Sequence, residues 1–130
     1  MVSASRTLTP DGDTLRDHAE VVCDAPRVID WLFHADGDVV FSCPVGEAAE
    51  LGDHPGYEYF SDIRRLESGP LTVSFTLNGR VLTLCTDASN LQVFTAKSPA
   101  NPANELRTAL ILRANAENAV FDVAFTQTKL

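Results

Sequence analysis

Several features that identify common classes of protein are missing from this 130-residue sequence. No apolar run approaches the ~18 residues of a membrane span, so no membrane association is expected. Residues 1–6 (MVSASR) lack the apolar segment of a signal peptide, which leaves a cytoplasmic protein or a piece of a longer exported one and keeps the localisation open. Lys and Arg number 10 against 18 Asp and Glu, and no basic run is present. Nucleic-acid binding is therefore not expected.

The usual catalytic and cofactor motifs are also missing. The sequence has no G-x-S-x-G, no G-x-G-x-x-G and no P-loop. Its three histidines, His18, His34 and His54, have no neighbours at metal-ligand spacing. The sequence therefore predicts no catalytic residue, no metal site and no cofactor. His34, at the end of an alternating run, is interpreted as a partly exposed strand-end residue.

Cysteine is scarce and its spacing is uninformative. Cys23, Cys43 and Cys85 are odd in number, and no two are close in sequence. Each lies in an apolar or strand-like run, so we interpret them as small buried apolar residues. One disulfide with one free thiol stays open as an alternative.

What the sequence does contain is a strong β-hairpin signal in residues 71–85 (LTVSFTLNGRVLTLC). Two alternating runs meet at Asn78-Gly79, a pair that suits a type I′ turn because both central residues need positive φ. Pairing outward from this turn places Phe75 opposite Leu82 and Val73 opposite Leu84. Those four apolar side chains then share one face of an antiparallel sheet.

Similar runs recur along the chain, separated by turn residues. They predict further strands at 6–9, 18–24, 27–35, 38–43, 57–66, 90–96, 106–113 and 120–126. Two more hairpins are expected, across Asp36-Gly37 and across residues 115–118. Residues 45–55 are expected to form a loop with at most one helical turn, and residues 97–104 (KSPANPAN) a polar loop with two prolines. The fold class is therefore all-β: one antiparallel β-sandwich domain over residues 1–130, with little or no helix and with residues 1–14 as a lead-in or edge strand.

Aromatic side chains give the best functional lead. Trp31, Tyr57, Tyr59 and Phe60 could form a platform that stacks on the apolar faces of sugar rings. We name Trp31, Tyr57, Tyr59 and Arg64 as candidate carbohydrate-binding residues, although Trp31, flanked by Ile29 and Phe33, is favoured as a core residue. Acidic residues offer an alternative, a carboxylate pair for glycoside hydrolysis. Its members would come from Asp17, Asp24, Asp30, Glu58 and Asp62.

Several blocks of the chain occur in an order that resembles a known family. They are residues 15–17 (LRD), 27–34 (RVIDWLFH), 56–63 (GYEYFSDI), 93–99 (VFTAKSP), 110–113 (LILR) and 120–123 (VFDV). This set is similar to the C-terminal β-sandwich region of the heparinase II/III-like polysaccharide lyases, which include alginate-lyase relatives. Asp30, Trp31 and His34 match positions that are structural in the family.

The resemblance implies a parent protein that cleaves uronic-acid-containing polysaccharides by β-elimination. In that family a catalytic α/α toroid precedes the sandwich and carries the catalytic and metal-associated residues, none of which can be placed on this chain. The first hypothesis is therefore a non-catalytic sandwich that partners a toroid domain or subunit and helps to line a groove for an acidic polysaccharide. A free-standing carbohydrate-binding module is the second hypothesis, and a small acidic enzyme is the third.

Overall fold

The computed structural model describes residues 2–53, 56–99 and 106–129, and these form antiparallel strands. The strands are β1 (Val2–Asp11), β2 (Thr14–Ala35), β3 (Asp38–Phe41), β4 (Ser61–Leu66), β5 (Pro70–Leu77), β6 (Arg80–Asp87), β7 (Gln92–Pro99) and β8 (Leu106–Lys129). A 3₁₀ turn at Tyr57–Tyr59 is the one helical element in this part of the chain. The predicted all-β class is confirmed. No helix within the described ranges is long and apolar enough to cross a membrane.

Two long strands, β2 and β8, organise the sheet. They pair along almost their whole length, with a register shift between Val22 and Arg27. On one side of this shift, β1, residues 14–22 of β2, residues 118–129 of β8, β6, β5 and β3 form a layer that we call layer A. On the other side, residues 27–35 of β2, residues 106–116 of β8, β7 and β4 form layer B. A bulge of this kind bends a strand, which allows the β2–β8 pair to be part of both layers.

The two layers pack face to face around an aromatic centre. The Phe33 ring of layer B lies 5.9 Å from the Phe75 ring and 5.0 Å from the Phe125 ring of layer A. Trp31 lies 6.2 Å from Phe125 and is only 7% exposed. The core residues on this face alternate along each strand, as expected for the inner faces of a sandwich.

Layer B is also covered on its outer face. A second apolar cluster there contains Leu51, Phe94, Ala96, Ala109 and Ile111, with Tyr57, Phe60 and Ile63 packed against it. The covering residues come from the segment between β3 and β4. Burial on both faces explains the continuous apolar run at residues 109–112 (ALIL), which a strand with one solvated face would not carry.

The hairpin predicted from Asn78-Gly79 is present in its expected register. Phe75 is opposite Leu82 and Val73 is opposite Leu84. Asn78 has φ 53° and Gly79 has φ 75°, as a type I′ turn requires. The edge strand expected at residues 6–9 is part of β1, which pairs only with β2.

Two other hairpin predictions were wrong. β3 does not return along β2 but pairs with β5. Gly37 (φ 101°) lies between β2 and β3, close to the backbone of Thr76. No turn occurs at residues 115–118, where β8 continues without interruption. There the side chain of Asn115 donates to Gln92 Oε1 at 3.0 Å. Pairing with β2 on both sides of this stretch outweighs the turn preference of the asparagines.

The cysteine and loop predictions were met only in part. All three cysteines are free; Cys23 is buried, Cys43 is half-buried, and Cys85 is exposed on the outer face of layer A.

The predicted polar loop at 97–104 was wrong in its first part because β7 extends to Pro99, and residues 100–105 lie outside the described residues. In the predicted loop at 45–55, Ala48 forms an isolated bridge to Arg64, and residues 54 and 55 lie outside the described part of the chain.

Candidate functional site

A buried ion pair lies on the outer face of layer B. Asp30 of β2 and Arg113 of β8 are direct cross-strand partners, and both side chains are 9% exposed. The guanidinium donates to the two carboxylate oxygens at 2.8 and 2.9 Å, and also to the Leu51 carbonyl at 2.8 Å. It lies 5.4 Å from the centre of the Phe94 ring. Arg113 therefore connects the sheet to the segment that covers it.

Tyr57 completes this cluster from the 3₁₀ turn. Its hydroxyl donates to Asp30, and its ring stacks on Phe60 with centroids 5.4 Å apart. Burial, together with the hydrogen bond to Asp30, raises the pKa of the Tyr57 hydroxyl to about 12. The hydrogen bond to Asp30 also raises the pKa of Arg113. At neutral pH Tyr57 is protonated and Arg113 is charged, and together they hold the 57–59 turn on the sheet.

His34 occupies the other end of this face. Its Nδ1 is 2.9 Å from the hydroxyl of the buried Ser98, and its ring meets Phe60 edge-on at 5.8 Å. Burial, followed by the nearby charge of Arg107, lowers the pKa of His34. The imidazole is therefore neutral near pH 7. It lies at the end of β2, as the sequence predicted.

A second histidine lies on the exposed outer face of layer A. His18 Nε2 is 2.9 Å from Glu20 Oε1, and Nδ1 contacts Asp122 on the neighbouring strand. The hydrogen bonds to Glu20 and Asp122 raise the pKa of His18, because both carboxylates favour its charged form. His54 lies outside the described residues. Within those residues, no group of three or more His, Cys, Asp or Glu side chains is placed to hold a metal ion.

The four candidate carbohydrate-binding residues are not brought together on one surface. Trp31 is buried between the layers, so its indole offers no stacking face to solvent. Tyr57 is half-buried and is engaged by Asp30. Tyr59 is 67% exposed, and Arg64 is also exposed. Of the four, only Tyr59 and Arg64 are presented to a large ligand, and their binding role stays a prediction.

Arg64 follows an irregular stretch of β4. The register with β7 shifts between Ser61 and Arg64, and Asp62 has φ 47°, an uncommon value for a residue other than glycine. Arg64 Nε donates to Asp62 Oδ1 at 3.0 Å, and Nη1 lies 3.4 Å from the Gly46 carbonyl oxygen. Arg64 lines a cleft of about 120 Å³ at the open side of the sandwich, between β3 and the β4–β7 pair.

The aspartates considered as a catalytic pair are engaged individually. Each forms an ion pair with a different arginine: Asp17 with Arg6, Asp24 with Arg27, Asp30 with Arg113 and Asp62 with Arg64. The fifth candidate, Glu58, accepts from the backbone N–H of Gly56 at 2.9 Å. Asp17 and Asp30 therefore join β2 to its neighbouring strands, whereas Asp24 and Asp62 pair within their own strands.

Arg113 was missed by the sequence reasoning. It ends the apolar run 109–112, and alternation places it on the face opposite Leu110 and Leu112. A single arginine directly after a buried strand segment is a pattern that could have indicated a buried ion pair. Its partner could not be chosen, because the chain has 18 aspartates and glutamates.

No protein-family model matches this chain, and a search of curated proteins found no match.

Proposed function

We propose that this chain is a non-catalytic β-sandwich that supports a catalytic partner acting on uronic-acid-containing glycans, in the manner of the C-terminal region of heparinase II/III-like lyases. The observation that carries the proposal is the closed cluster of Asp30, Arg113 and Tyr57. The Asp30 carboxylate accepts hydrogen bonds from the Arg113 guanidinium and from the Tyr57 hydroxyl beneath the covering segment. They fix the fold and leave no proton for a substrate.

The protonation of Tyr57 supports this interpretation. A β-elimination needs a base to remove the proton α to the carboxylate and an acid to assist the leaving oxygen. A tyrosine with a pKa of about 12, whose proton is bound by Asp30, is a poor base near neutral pH and a poor donor to an external oxygen. His34 is neutral and is bonded to Ser98.

An unpaired strand edge supports the scaffold role. β1 pairs with β2 as far as Cys23, and among the described strands only β8 pairs with residues 27–35 of β2, which leaves their other side as an edge of layer B. Val28 and Leu32 on this edge are 41% and 40% exposed. Free backbone groups beside apolar side chains suit attachment to another domain or subunit.

Complementation in trans tests the scaffold role. The full chain is added to a heparinase II/III-like lyase from which the C-terminal β-region has been deleted, and uronate-polymer cleavage is followed by the ultraviolet absorbance of unsaturated sugar ends. We expect no product from the chain alone and increased activity or thermal stability of the truncated lyase when the chain is present. Product formed by the chain alone, or no effect on the lyase, would contradict the proposal.

A free-standing carbohydrate-binding module is a second candidate, favoured by the exposure of Tyr59 and Arg64. Affinity electrophoresis through alginate and through a neutral glycan tests it. Tyr59→Ala should abolish retardation by alginate. Val40→Ala serves as the control, because Val40 and Tyr59 are both 67% exposed. Absence of retardation of the native chain by either glycan would count against this candidate.

A further inference from the structure

The cleft beside Arg64 has an unusual lining for the interior of a β-sandwich. Val39 and Phe41 of β3 form one wall and pack against the core. Arg64, Thr95 and Lys97 from β4 and β7 contribute to the opposite wall. The cleft thus has an apolar side and a side that carries two cations.

Lys97 lies on the inward face of β7. Along β7 it alternates with Val93 and Thr95, which are both buried, so its stem enters the space between the layers. Its Nζ donates to Thr108 Oγ1 at 3.2 Å, and it forms no ion pair with any described residue. Lys97 is half-buried, and a charge that is partly withdrawn from water favours a polar or anionic partner.

The cleft carries a net positive charge, whereas the whole chain is negatively charged. The chain carries a formal charge of −8, whereas the charged residues of the cleft are Lys97, Arg64 and Asp62, which sum to +1. Asp62 and the Gly46 carbonyl engage Nε and Nη1 of Arg64, which leaves Nη2 as a further donor. The irregular backbone at Asp62 is what sets this arrangement at the mouth of the cleft.

We infer that this cleft binds one small oxyanion group, a carboxylate or a sulfate, through the side chains of Lys97 and Arg64, which both line it. Its volume of about 120 Å³ has room for one such group. Lysine and arginine supply charge-assisted hydrogen bonds to anionic oxygens. The inference goes beyond the proposed function, since a free anion would bind without any glycan or partner.

Titration of the ¹⁵N-labelled full chain with sodium sulfate and, separately, with sodium acetate tests the site by NMR, with chloride used to hold the ionic strength constant. We expect saturable shifts of the backbone amides of Thr95, Ala96 and Lys97 with a millimolar Kd for at least one anion. Lys97→Met should raise that Kd at least tenfold. Lys129→Met is the matched control, because it removes the same charge at the exposed end of β8 and should leave the Kd unchanged.

The outcomes separate the site from a simpler role for Lys97. Saturation by sulfate, by acetate or by both supports the inference, and the tighter anion identifies the oxyanion that the cleft prefers. Linear shifts, or equal Kd values for Lys97→Met and Lys129→Met, would overturn it. In that case the inward lysine would act as a charge that discourages sheet-to-sheet association, and size-exclusion chromatography of Lys97→Met would show new oligomers.

Discussion

Replacing Arg113 by methionine removes a guanidinium from beneath the covering segment while keeping a similar side-chain length. The substitution removes both bonds to the Asp30 carboxylate, the bond to the Leu51 carbonyl and the contact with the Phe94 ring. The Asp30 side chain, 9% exposed, then keeps only the Tyr57 hydroxyl as a partner. An uncompensated carboxylate would be left in a largely apolar setting.

The expected loss of stability follows from the burial of the Asp30 carboxylate. Removing one partner of a buried ion pair destabilises a protein by about 3–5 kcal/mol, because the remaining charge stays desolvated. At about 4 °C per kcal/mol for a chain of this length, the melting temperature should fall by about 12–20 °C. The double variant Asp30→Leu/Arg113→Met should recover much of the loss, since it leaves no buried charge behind.

Urea denaturation followed by circular dichroism measures the loss of unfolding free energy, and thermal denaturation followed by the same signal measures the fall in melting temperature. Arg27→Met is the matched control, because Arg27 also pairs with an aspartate, Asp24, but both side chains of that pair are 51% exposed. Exposed pairs of this kind contribute little to stability. If Arg113→Met and Arg27→Met lowered stability equally, the buried cluster could not be what holds the 57–59 turn on the sheet.

Three further predictions concern the fold. Because the fold raises the pKa of Tyr57, its contribution to stability should be complete below pH 10 and should be lost as the pH rises through about 12. Urea titrations across this pH range should show that decline for the native chain and not for Tyr57→Phe. Gly37→Ala should destabilise by about 2 kcal/mol or more, because its Cβ would lie 2.4 Å from a backbone oxygen, whereas Gly12→Ala, with open space around it, should cost only about 1 kcal/mol. Leu84→Ala, at a fully buried position, should cost about 2–5 kcal/mol in the same assay, and a smaller loss would mean that the core collapses around the cavity.

The local sequence pattern was sufficient to predict structure where residues close in sequence are also close in space. The 71–85 hairpin was predicted with its register, because turn chemistry at Asn78-Gly79 and side-chain alternation both act within a few residues. Alternation in residues 119–125 (AVFDVAF) likewise directs Ala119, Phe121, Val123 and Phe125 to one face, where all four lie in the core or pack against it. The same reasoning failed at residues 115–118, where turn-forming asparagines lie in the middle of β8.

The candidate site was predicted less well than the fold. Trp31 was favoured as a core residue from its flanking Ile29 and Phe33, and it is buried. Tyr57 was named for sugar stacking, yet its hydroxyl is committed to Asp30 across 27 residues of sequence. The inward position of Lys97 was not anticipated, because it depends on how the two layers face each other.

The sequence by itself determined the all-β class, the alternating faces and the one tight hairpin, since each depends on the period of a strand or on the φ values of two residues. Only the tertiary structure decided which strands pair over long distances, that layer B is covered on both faces, and which arginine meets which aspartate. Those choices depend on burial summed over the whole chain, and an ion pair such as Asp30–Arg113 acquires its strength only after the covering segment has excluded water from it.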